Sequence, residues 1–165
     1  MTFKILLEIC LLRAAPQDLP SSRVGMGSAL AAYALADVIA IYDILTPGSA
    51  VLAVGVDTLL LAATTQLVLL WRHFENRVTQ TLTALAGSGA LLSMLAWSGA
   101  VLLRGSLSPE WIWAAFLVWY TLVFGHVLRH ALAISFTVGV GASIVYIFLS
   151  MGVTGLFMNP VPATN

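Results

Sequence analysis

The sequence predicts an all-α polytopic membrane helical bundle: about five transmembrane helices preceded by a short interfacial amphipathic helix. Three observations predict it. Of 165 residues, 60% are hydrophobic and 8% charged, against about 25% charged in an ordinary soluble domain. Apolar segments long enough to cross a hydrocarbon core of about 30 Å follow one another along the chain. The stretches between them are short, so one integral membrane domain, 1–165, takes up the whole sequence.

Residues 2–13 form the first element. Glu8 interrupts the apolar run and Arg13 closes it, so the segment reads as retained rather than as a cleaved signal. At 1.5 Å per residue it measures about 18 Å, too short to span. Lys4 and Glu8 stand one turn apart on one side, with Phe3, Ile5, Leu6, Ile9 and Leu12 elsewhere, which predicts a helix lying on the membrane. "AAPQDLP" then breaks any helix.

Ser21 and Ser22 are candidate caps for the first span, residues 23–45. "TPGS" turns the chain into a second span, 49–71, and "WRHFENRVTQT" separates this from a third, 82–103. After "RGSLSPE", Pro109 suits a helix start. From Trp111 to Met158 the sequence is apolar except at "HVLRH". One helix of that length would reach about 70 Å, more than twice the hydrocarbon thickness, so the chain must turn. Placing the turn at the polar run His126, Arg129, His130 gives a fourth span at 111–128 and a fifth at 131–157.

Charge sets the expected orientation. With the N-terminus inside, Lys4, Arg13, Arg23, Arg72, Arg77 and Arg129 gather on the cytoplasmic side and only Arg104 lies outside. Five spans then put the C-terminus outside. Trp71 and Trp111 fall at expected interfaces, as belt residues do.

Acids inside the spans are the main functional signal. Asp37 is ten residues before Pro47 and Asp57 ten after it, so in a helical hairpin both would sit at one depth, about 15 Å from the turn. A central aspartate costs at least ~2.5–3.5 kcal/mol and faces a bundle interior or cavity. If the two carboxyls meet, a shared proton is the expected form. The more ordinary alternative is that each hydrogen-bonds a neighbouring helix through Tyr33, Thr58, Thr64, Ser93 or Ser98. Asp43, nearer the outer edge, is a natural salt-bridge partner for Arg104. Ser28, Ala32, Ala36 and Ala40 form a four-residue stripe that would let another helix approach closely.

At the cytoplasmic boundary, Arg72, His73, Arg77, His126, Arg129 and His130 make a candidate interface for anionic headgroups or an acidic partner surface. A turn beside the histidines would spoil their spacing for a shared metal or haem, so no metal and no cofactor is expected. Cys10, the single cysteine, has no disulfide partner within the chain. Gly87, Gly89, Gly139 and Gly141 lack the strand and the Lys-Ser/Thr of a phosphate loop and read as close-packing positions. There is no G-x-S-x-G elbow and no nucleophile with an attendant base, so enzymatic activity is not expected. Net charge is zero with no basic run, which argues against nucleic acid. The expected partners are the lipid bilayer and other membrane proteins.

A short amphipathic segment, five closely spaced spans, and the stretches "LLRAAPQDLPSS" and "GHVLRHAL" resemble the Yip family of small membrane proteins in its small bacterial members. The resemblance covers nearly the whole chain. It implies membrane organisation or complex assembly and a bacterial inner (cytoplasmic) membrane location. The leading expectation is thus a non-enzymatic membrane scaffold, accessory subunit or assembly factor. The alternative is a small proton- or ion-coupled transporter using Asp37 and Asp57.

Overall fold

The computed structural model describes residues 2–42, 45–103, 106 and 108–157. Six α-helices follow in order: α1 Thr2–Cys10, α2 Arg23–Ile41, α3 Pro47–Trp71, α4 Val78–Leu102, α5 Pro109–Leu132 and α6 Phe136–Gly155. Helices α2 to α6 are each long and apolar enough to cross a membrane, and the described residues contain no strand. The protein is an all-helical membrane protein.

The helix starts follow local chemistry. Ser22 caps α2 by accepting a 3.1 Å hydrogen bond from the Gly25 amide, satisfying one of the donors left free in a first turn. Proline opens both α3 and α5, where its missing N–H costs nothing.

The turn between the last two spans lies at Ala133–Ser135, not at the polar run, so His126, Arg129 and His130 all belong to α5. Ala133 ends that helix in the left-handed region, φ 54°, a position usually given to glycine because a Cβ there costs about 1–2 kcal/mol. Arg77 supports the end by donating to the carbonyls of His130 and Ala131 at 3.2 and 3.1 Å, which the helix itself cannot satisfy. Ser135 then caps α6.

The five long helices close into a ring in the order α2, α3, α6, α5, α4. Its proximal end carries the start of α2, and its distal end the end of α2. The α5–α6 crossing is tight: a methyl at Gly125 would meet the Val140 backbone at 2.8 Å, and Gly139 faces the Gly125 carbonyl. Small residues let these backbones approach. Gly141, by contrast, faces open space.

Helix α4 is buried all round from Thr81 to Ala90. Its inner face closes the ring and its outer face is covered by α1, whose Leu6 methyls lie over Gly87. The expected N-terminal helix is therefore present over Thr2–Cys10 and docked on the bundle. Lys4 and Glu8 pair at 3.8 Å on its exposed side. From there the chain climbs the α4–α5 groove, held at each step by a side chain. Trp119 Nε1 donates to the Cys10 carbonyl, His126 Nε2 meets that of Ala14, and Gln17 Nε2 donates to that of His130. Gln80 completes the strap by donating to the carbonyls of Gln17 and Leu19.

One expectation about faces changes. On α2 the inward residues are Ala29, Tyr33 and Ala36, whereas Ser28 and Ala32 are exposed. The large tyrosine turns the helix so that only part of the small-residue stripe faces inward.

Docking of α1 makes a testable statement about Cys10. Its Sγ is buried against the Ser88 carbonyl, and burial pushes the thiol up to about 11. Since the thiolate is the nucleophile, iodoacetamide at pH 8 is expected to leave Cys10 unmodified in the folded protein and to alkylate it once the chain is denatured. Equal modification in both states, read by mass spectrometry, would show α1 undocked.

Candidate functional site

Asp57 sits on the ring side of α3, 9% exposed, and accepts two hydrogen bonds. The Tyr33 hydroxyl on α2 donates to Oδ2 at 2.6 Å, and Ser150 on α6 donates to Oδ1. Asp37, one turn after Tyr33 on α2, accepts from Ser93 on α4 at 2.8 Å. Four helices are thereby tied through two carboxyl groups. Bonds of a hydroxyl to a carboxylate contribute about 1.5–3 kcal/mol each, comparable to the ~2.5–3.5 kcal/mol cost of placing an aspartate at bilayer depth.

The acids are not level with each other. Asp57 is in register with Tyr33 rather than with Asp37, a stagger of about one turn, or about 6 Å. Counting symmetrically from Pro47 misses this because α3 begins at Pro47 whereas α2 ends at Ile41. Each carboxyl has its own hydroxyl donors, Tyr33 and Ser150 for Asp57 and Ser93 for Asp37. Tyr33 and Ser93 were legible as partners. Thr64 instead bonds back to the Leu60 carbonyl of its own helix, and Thr58 Oγ1 is buried without a partner.

Both acids stand on the wall of a single cavity of about 450 Å³ that takes residues from all five helices of the ring. Tyr33, Ser93, Tyr120, Tyr146 and Ser150 line it together with Trp113 and Phe116. It extends to Ile41, Trp113 and Thr154, near the distal ends of their helices. On the proximal side stands an aromatic stack. Phe124 and Tyr146 are parallel at 4.9 Å, and Tyr120 is tilted against Phe124 at 5.5 Å. Beyond it lies a smaller void of about 100 Å³, bordered by Thr64, Thr65 and Thr81. Tyr146 lines both spaces.

Gly89 makes the arrangement sterically accessible. A methyl there would come to 2.8 Å from the Tyr33 ring and 3.5 Å from that of Tyr120. Only a bare α4 backbone lets Tyr33 lie flat enough to reach Asp57.

The contributions of α5 and α6, namely Trp113, Tyr120, Tyr146 and Ser150, were not singled out from sequence. A tyrosine in an apolar span carries no sign of its direction until the order of helices around the ring is known. The positions of the polar spacing signal are clearer: aspartates inside spans mark the cavity wall.

The proximal candidates divide. Arg72 and His73 are exposed, with His73 3.9 Å from Glu75. Arg77 is committed to the α5 end and also lies over the Phe74 ring at 4.5 Å. Arg129, half-buried, stands 5.8 Å over Phe136. His130 is half-buried. His126 is 4% exposed and faces the Ala14 carbonyl, so it belongs to the strap and not to a free surface. Because the turn comes after both histidines, their one-turn spacing is intact and the rings meet edge to face at 4.7 Å. Among the described residues no cluster of three or more His, Cys, Asp or Glu side chains could hold a metal ion. Asp43 and Arg104, the expected ion pair, lie outside the described residues.

Compared with known proteins, the chain matches no family model, no curated protein and no solved structure.

Removing the Tyr33 hydroxyl isolates the central contact. Tyr33→Phe keeps the ring over Gly89 and is expected to lower stability by about 1–3 kcal/mol, the range for depriving a buried acceptor of its donor. Gly89→Ala, which displaces the ring, should act in the same direction. Denaturation by SDS in mixed micelles measures both, and two unchanged midpoints would mean that Tyr33 does not hold Asp57.

Proposed function

We propose that the protein is a small proton- or ion-coupled transporter, working without covalent chemistry, in which Asp37 and Asp57 exchange a proton for a solute. The observation that supports this reading is the shared cavity. Acids that served only to fasten helices would be enclosed by their partners, since protein interiors tolerate few voids larger than a water molecule. Here about 450 Å³ of space adjoins both. A carboxyl facing such a space can bind either a proton or a cation, and that competition is the simplest form of coupling.

The stack of Phe124 and Tyr146 is the barrier in this reading, with the larger cavity on its distal side and the smaller void on its proximal side. Six basic residues, Lys4, Arg13, Arg23, Arg72, Arg77 and Arg129, support an inside N-terminus. The larger cavity then opens toward the outside.

A second reading, the scaffold or assembly role to which the Yip resemblance points, draws on another surface. Gly27, Ser28, Ala31 and Ala32 form an exposed small-residue face on α2, suited to the close approach of a helix from a partner membrane protein.

The two readings separate in proteoliposomes carrying an entrapped pH dye, with gradients of sodium, potassium, ammonium and 2-phenylethylamine imposed in turn. The transporter reading expects proton movement driven by at least one gradient, in excess of that in protein-free liposomes, with the excess lost in the Asp37→Asn/Asp57→Asn double variant while the fold, read by circular dichroism, is kept. Proton-driven flux retained in that variant would exclude the two acids as the coupling groups.

A further inference from the structure

We infer that the cavity takes an organic cation: a protonated or quaternary amine seated between Asp37 and Asp57, with its apolar body against Trp113, Phe116 and Tyr120. This deepens the transporter reading and rests on it. Its first ground is the charge of the wall. Among the described residues the lining includes two aspartates and no Lys, Arg or His, so an anion would enter against both carboxyls with none of these to balance it.

A bare metal ion fits poorly for a different reason. The two carboxyls are a turn apart, and among the described residues no third His, Cys, Asp or Glu joins them in a ligand cluster. Hard divalent cations take about six or more oxygen ligands in close array. An ammonium centre needs less, because its charge is shared between separated acceptors and aromatic faces. Trp, Tyr and Phe rings within about 6 Å attract such a centre through their quadrupoles.

The size agrees. A volume of about 450 Å³ falls in the range of roughly 300–1,000 Å³ typical of small-molecule sites.

Three isosteric probes test the class: 2-phenylethylamine, 2-phenylethanol and phenylacetate, titrated by calorimetry into the full-length protein in lipid nanodiscs. The amine is expected to bind saturably, at least about tenfold more tightly than the alcohol, the scale of one charge-assisted hydrogen bond, and phenylacetate not at all. Asp57→Asn and Trp113→Leu should each weaken the amine by about tenfold or more. The comparison of probes on the unaltered chain needs no variant to fold. Equal binding of amine and alcohol, or tighter binding of phenylacetate, overturns the inference. Amine binding without flux in proteoliposomes upholds the ligand class and removes only the transporter reading. Proton flux driven by an inorganic cation in a protein that ignores the amine overturns the class and leaves the transporter standing.

Discussion

A carboxyl group at bilayer depth has to find its hydrogen-bond partners inside the protein, and the five-helix ring is arranged around two of them. Water is absent from the hydrocarbon core, so each unsatisfied polar group costs several kcal/mol. Asp57 takes donors from α2 and α6, and Asp37 takes one from α4. These bonds specify which helices are neighbours. Dispersion packing between apolar helices is far less selective, because lipid tails are as apolar as the side chains they would replace.

Such bonding demands close backbones. Helix α4 supplies them with a run of small residues, and Gly89 is where the demand is sharpest, since two tyrosine rings lie against it. The same helix is buried on its outer face by α1, so the N-terminal segment stabilises the element that positions Ser93 and Tyr33. His126 contributes here through the Ala14 carbonyl, which it meets from α5, the neighbour of α4 in the ring. The strap is thus linked to the cavity through α4, although it touches neither acid.

Much of this organisation is readable from the residues. Five spans follow from apolar length, Ser22 and the helix-opening prolines mark their starts, and the price of burying Asp37 and Asp57 already requires an inward face. Three features resist such reading. The α5–α6 turn is carried by Ala133 in a left-handed conformation, with Arg77 from a distant loop satisfying the freed carbonyls. Neither is a local signal, so the polar residues His126, Arg129 and His130 draw the turn toward themselves. The relative depth of the acids depends on how many residues the α2–α3 connection consumes, which a symmetric count from Pro47 cannot include. The aromatic lining from α5 and α6 depends on helix order around the ring, a property of the whole assembly.

The central claim is that water and polar solutes reach the space between the acids although it lies within apolar spans. Thiol accessibility tests it directly in a Cys10→Ser background. Ser93→Cys places a thiol on the cavity wall, and Leu59→Cys places one on the outer face of α3, where Leu59 is 71% exposed two residues from Asp57. In a bilayer, a small cationic methanethiosulfonate reagent is expected to modify the Ser93→Cys protein and to spare the Leu59→Cys protein. Protection of both positions would contradict the account, because it would mean that the cavity is closed to the aqueous phase.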